Sequence, residues 1–195
     1  ASIAFDANSI ANLGTTLGAD FAVNGITVVD PAGAVSIASN LLTVGAGGLD
    51  LSVALQNLTI SSPLVLDAAQ DWSVATGRTL AINTGVLSGL GLTKKGPGVL
   101  TVAGANTNLA GPVTIEEGVV SLGHGAALGT NDVMINTAAT VNDTDVRVAV
   151  NQTTLSRFIV QDMGVGIPFL RSSDVNGDVN AGGGSAGFRV DLRGR

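Results

Sequence analysis

Apolar residues recur along this chain as pairs two positions apart. They are Ile26 and Val28, Val35 and Ile37, Leu42 and Val44, Leu49 and Leu51, Leu58 and Ile60, Leu64 and Leu66, Trp72 and Val74, and Leu80 and Ile82. A two-residue period places both members of a pair on one side of an extended strand. Each pair predicts a strand too short to stand alone, and helical periodicity is nearly absent from a chain so rich in Gly, Asn, Thr and β-branched residues.

The first members of these pairs follow one another at intervals of roughly 6 to 9 residues. That interval leaves room for about four strand residues and a corner, too little for a meander of ordinary hairpins. Three such steps make a turn of about 23 residues, the period of a solenoid whose turns each lay three short parallel strands on the turn below. Further on, Leu80, Leu100 and Val120 begin pairs at one constant spacing, and Val113 and Val133 repeat it. The predicted fold is all-β, a parallel β-helix with three sides and about 20 to 23 residues per coil. Roughly eight coils would form a rod of about 40 Å, with Leu, Ile and Val stacked inside and Thr101, Thr114, Glu116 and Ser121 facing out.

The whole of residues 1–195 is expected to be one such segment of a longer protein, less regular over residues 151–195. Between Ile82 and Leu100 the even step lengthens, and TGVLSGLGLTKKGPG is expected to form a corner-dense coil with both lysines, Lys94 and Lys95, in a solvent-facing corner.

Composition agrees with a thin aliphatic core: 27 glycines, 3% aromatic residues, 12% charged residues and no cysteine. The formal net charge of -6 sets the surface field against nucleic acid and anionic lipid, and no apolar run is long enough for a membrane helix. The absence of cysteine removes disulfides and thiolate metal sites.

Residues 92–122, LTKKGPGVLTVAGANTNLAGPVTIEEGVVSL, carry a denser pattern. Leu92, Lys94, Gly96, Gly98, Leu100, Val102, Gly104, Asn106, Gly111, Ile115, Gly118, Val120 and Leu122 make this segment resemble the autotransporter-associated β-strand repeat of bacterial autotransporter passengers and related surface proteins. Residues 61–82 resemble the coil that commonly precedes that repeat. Two departures are Asn108, where an aromatic is usual, and Val113, where Thr is common. The resemblance implies a right-handed parallel β-helix serving as a structural rod or stalk in a secreted or cell-surface bacterial protein, supporting folding, export and display, with no catalytic residues. An uncapped β-helix leaves unpaired strand edges, so the segment is expected either to carry irregular caps or to stack on neighbouring parts of the same long chain or on end-to-end copies.

Other chemistry is weakly represented. In LTKKGPG the lysines precede the glycines, the reverse of a phosphate-binding loop. Gly182, Gly184 and Gly187, or Gly183, Ser185 and Gly187, match dinucleotide-loop and nucleophile-elbow spacings, but the strand-like FRVDL follows where a helix is needed. His124 is the sole histidine and reads as a surface corner.

Asp174, Asn176, Asp178 and Asn180 have the odd-position spacing of a calcium loop, yet Val179 and Ser185 stand where glycine and glutamate belong. Calcium is thus the one cofactor considered, and an Asx-rich turn is the plainer reading. An adhesin-type module binding glycan or a cell-surface protein is the alternative function, and would show an exposed apolar stripe. A carbohydrate-active enzyme is a further one and would need carboxylates gathered in a groove. Asp67, Asp71 and Arg78 beside Trp72 are its nearest grouping, with Trp72 expected inside. Asp143, Asp145 and Arg147 read as a polar loop and strand edge.

Overall fold

The computed structural model describes residues 1–84, 87–135, 137–149, 153–161, 164–172 and the strand 187–192. Every regular element among them is a strand. In chain order these are β1 (Ile3–Phe5), β2 (Gly14–Leu17), β3 (Phe21–Val28), β4 (Val35–Ser39), β5 (Leu42–Leu51) and β6 (Leu58–Ile60). There follow β7 (Leu64–Leu66), β8 (Gln70–Val74), β9 (Thr79–Ile82), β10 (Leu87–Gly89), β11 (Leu92–Lys95), β12 (Val99–Val102) and β13 (Val113–Ile115). The last are β14 (Gly118–Leu122), β15 (Val133–Ile135), β16 (Thr144–Val148), β17 (Thr153–Val160), β18 (Pro168–Ser172) and β19 (Gly187–Leu192).

All the pairings between these strands are parallel, and they stack into a β-helix of about 7 turns. One face runs β18-β16-β14-β12-β9-β6-β4-β2, so eight rungs span roughly 34 Å at the usual strand spacing. A second runs β1-β3-β5-β8-β11-β13-β15-β17-β19. The third is short: the first halves of β3 and β5 pair in register, β7 stacks on β5 through Leu42↔Leu64, β10 on β7 through Leu64↔Leu87, and a single bridge joins Gly89 to Leu109.

The expected pairs are the rungs. All sixteen residues of the eight pairs named above are buried, none more than 4% exposed. Ile3, Ile26, Leu49, Trp72, Lys94, Ile115, Ile135 and Val160 are consecutive register partners on the second face. Read from these partners, the turn keeps one length from Ile3 to Trp72, shortens step by step to its least between Ile115 and Ile135, and is longest between Ile135 and Val160. Thr101, Thr114, Glu116 and Ser121 lie on the outer side, half-buried.

Two features refine the sequence reading. Leu42–Val44 and Leu49–Leu51 belong to one ten-residue strand, because the intervening Gly45, Ala46, Gly47 and Gly48 carry no bulky side chain and let the strand run on through the bend. The stretch between Ile82 and Leu100 is a coil, as expected, and two of its segments are strands, β10 and β11. Beyond residue 150 the described strands β17, β18 and β19 continue the two long faces, with one register shift between β17 and β19.

Because each interior leucine touches only its own turn and the two adjacent ones, deleting one opens a cavity that cannot collapse. Leu100→Ala is expected to cost about 2 to 4 kcal/mol in urea unfolding, and Thr101→Ala, one residue on and facing out, less than about 0.5 kcal/mol. Equal losses at the two positions would contradict the assigned register.

Candidate functional site

The repeat-like segment holds the most unusual interior chemistry. Lys94 shares the inward phase of β11 with Leu92 and is fully buried, between its register partners Trp72 and Ile115. Its Nζ reaches the corner between the second and first faces. There it donates to the carbonyls of Lys95 at 2.8 Å, Gly96 at 2.6 Å and Glu117 at 3.1 Å. Three donors meeting three carbonyls satisfies the ammonium in full, and the last bond ties one turn to the next.

The expectation of a solvent-facing lysine pair is corrected here. Only Lys95 is at the surface, where it bonds Asp71 at 2.8 Å. The alternation Leu92, Thr93, Lys94, Lys95 carries the signal, since it puts Lys94 in phase with a buried leucine. Burial lowers the Lys94 pKa to about 8, opposed by the nearby Glu117 charge, whereas the Asp71 hydrogen bond raises that of Lys95.

Glycines make room for this corner. Gly96 and Gly118 have φ of 75° and 81°, and a Cβ at either would lie 2.5 Å from a backbone oxygen of the turn below.

Two more buried polar residues join turns. Asn106, 1% exposed, accepts from the Leu87 amide at 2.9 Å and donates to the carbonyls of Ala127 at 2.8 Å and Gly104 at 3.2 Å, spanning three turns. Gln70 accepts from Trp72 Nε1 at 2.8 Å and donates to the Val44 carbonyl at 3.0 Å. Sequence reading missed Gln70, though it stands two residues before Trp72 and thus in the same phase. Asn108 is exposed, and it is Leu109 that fills the interior.

Trp72 is wholly interior and offers no sugar platform. Asp71 is taken by Lys95, and Arg78 donates to the Leu55 carbonyl at 2.8 Å, so these groups form no joint site with Asp67. His124 is an exposed corner whose Nδ1 accepts from the Ala126 amide at 3.0 Å. Among the described residues no three or more His, Cys, Asp or Glu side chains are placed to hold a metal ion. The Asp174, Asn176, Asp178 and Asn180 set and the Gly182–Ser185 run lie outside the described residues.

A groove of about 610 Å³ lies along the outside of the first face, where Val119, Asp145 and Phe169 are stacked register partners. Its wall is the same corner repeated on successive turns: Pro97, Glu117, Asn142 with Asp143, and Gly166. The wall stands proud because the turn from Val120 to Val146 is longer than the turn from Leu100 to Val120, and the corner before β16 takes up the excess.

Asp145 is corrected from a strand edge to the sheet interior, since β16 is paired on both sides. Its carboxylate is clasped by Arg147 at 2.6 Å and Arg171 at 2.7 Å. Arg171 also lies 4.8 Å over the Phe169 ring. Glu117 accepts from Asn142 Nδ2 at 2.6 Å, and Asp143 from the Ile167 amide at 2.8 Å.

No family model, curated protein or solved structure matches the chain. Function must therefore be argued from this geometry.

The Lys94 corner makes a prediction with a definite sign. With a folded pKa of about 8 against 10.5 unfolded, the unfolded chain binds more protons between these values, so folding gains stability as pH rises through them. Relative to Lys94→Met, the wild type should gain up to roughly 3 kcal/mol between pH 8 and 10.5. Below pH 8, Lys94→Met should still be less stable than wild type by about 1 to 3 kcal/mol, because three carbonyls lose their donor. Urea unfolding across that range tests both, and a constant difference would refute the buried, titrating ammonium.

Proposed function

We propose that this chain is a rod or stalk segment of a secreted or cell-surface bacterial protein, of the autotransporter-passenger kind, whose work is support, display and assembly. The observation that carries the reading is the interior ladder of parallel rungs stacked on successive turns. At the N-terminal end the ladder opens into a cavity of about 300 Å³ lined by Ile3, Phe5, Leu17, Phe21 and Ile26, among others. Phe21 is 46% exposed there. Among the described residues β1 pairs only with β3, and β2 only with β4, which leaves the other edge of each unpaired there. Such an edge can be continued by a further coil, of the same chain or of a second copy, through backbone pairing and an apolar fit.

The distinctive residues of the repeat-like segment also suit construction. Lys94, Asn106, Gly96 and Gly118 commit their polar groups and their backbone freedom to joining turns. None of them projects a reactive group outward.

The isolated chain should therefore associate head to tail, with its weight-average mass rising with concentration in sedimentation. Phe21→Lys combined with Leu17→Lys should hold it monomeric by placing charges in the open end. A wild type that stays monomeric at millimolar concentration would remove this support.

Location is tested on the complete protein in its native cells. An epitope inserted after Gly104, in an outer corner, should be labelled by antibody on intact cells, and removing residues 92–122 should reduce the labelled amount. Labelling that appears only after lysis would overturn the surface assignment.

A further inference from the structure

We propose that the groove beside Phe169 is a binding site for a neutral oligosaccharide lying along the rod axis. This goes beyond the rod reading and does not depend on it. The groove has a volume within the range of small-ligand sites, roughly 300 to 1,000 Å³. It is elongated, because its wall recurs on four successive turns, which spans roughly 14 Å along the axis.

The lining selects the ligand by chemistry. Glu117 and Asp143 stand on the wall of a chain with a formal net charge of -6, which disfavours an anion. In the floor Arg171 and the adjoining Arg147 outnumber the one carboxylate they share, Asp145, so a cation meets a net positive charge there as well. A purely apolar chain would strand the carboxylates and the Asn142 amide without water. A neutral, polyhydroxylated ligand fits all three conditions.

Each wall group also has the capacity that a sugar needs. A carboxylate has about four acceptor positions, and the bonds from Asn142 to Glu117 and from Ile167 to Asp143 orient the two groups while leaving acceptors to spare. Phe169 is 39% exposed with the Arg171 guanidinium 4.8 Å over its ring, so it offers the C–H face of a sugar the part of the phenyl that Arg171 leaves uncovered. Val141, 64% exposed, on the turn of Asp143, and Val165, 82% exposed, on the next turn, add apolar surface to the lining. Exposed apolar side chains gathered about one polar strip mark a recognition surface more than a solvated face.

The site needs no chemical step. Asp145 is already held by two guanidinium groups, and the arrangement serves recognition.

The test titrates the 195-residue chain with uncharged hexasaccharides of glucose, N-acetylglucosamine and mannose, and in parallel with hexagalacturonate and hexalysine. Binding is read by calorimetry and by amide chemical shifts. At least one neutral hexasaccharide should bind, with shifts concentrated at residues 117–119, 141–145 and 166–171. Phe169→Ala should weaken it about tenfold, the worth of a stacking contact, and Asp143→Ala severalfold. Both variants should keep the wild-type melting temperature, which separates a lost contact from a lost fold. Binding by no neutral sugar, binding by only the acidic or the basic probe, or equal affinity in Phe169→Ala would each overturn the proposal.

Discussion

The constraint on which this molecule depends is that a single turn of the solenoid has no core. A rung such as Leu58–Ile60 buries its side chains only because Val35–Ile37 lies beneath it and Leu80–Ile82 above. Backbone pairing and side-chain burial are thus one event, and an interior residue is judged by how it fits the turns on either side. That is why the inner positions are almost all Leu, Ile and Val, whose shapes stack in ladders. It is also why a polar group admitted to the interior must find its partners on the turns themselves.

Lys94 shows how that second condition is met. An ammonium taken out of water costs several kcal/mol unless its donors are all used, and here the corner supplies carbonyls from Lys95, Gly96 and Glu117. Corners are where a β-helix has backbone carbonyls turned away from its ladders, so a long side chain from the rung can reach them. Asn106 applies the same logic with a short side chain, using both its oxygen and its amide. Such residues fix register, because an interior of interchangeable aliphatic side chains would tolerate a slipped turn far better than three directed hydrogen bonds do.

Much of this architecture is legible in the sequence, and the parts that are not have identifiable causes. The eight pairs from Ile26 to Ile82 are readable since period two and turn length are both local in sequence, and each pair sits where the spacing puts it. Lys94 defeats a reading that lets residue type outweigh phase: its neighbours in register, Trp72 and Ile115, are both interior by their own alternation. The strands β10 and β11 are hidden by glycines, which signal a turn in most chains but here also permit the backbones of adjacent turns to approach. Gly91 and Gly111 are such a pair, and a Cβ on the latter would meet the amide nitrogen of the former at 2.0 Å. The groove is illegible for a different reason. It gathers Pro97, Glu117, Asn142, Phe169 and Arg171 from successive turns, far apart along the chain, and their proximity follows only once the register is known.

The same constraint explains how a rod can acquire a surface of this kind at little energetic cost. Lengthening the turn that ends at Val146 leaves the interior register of Leu100, Val120 and Val146 intact, since the added residues are absorbed at the corner. Loop-closure entropy grows only slowly with length, so the ladder loses little when a corner is extended. Because successive turns repeat one corner at one spacing, an extension on two of them builds a continuous wall and not an isolated bump. The outward side of the adjoining strand, which contributes no ladder contact, can then take residues such as Asp145, Phe169 and Arg171. In a β-helix the inward phase of each strand answers to stability and the outward phase beside a long corner is released from it, and it is there that recognition chemistry can accumulate.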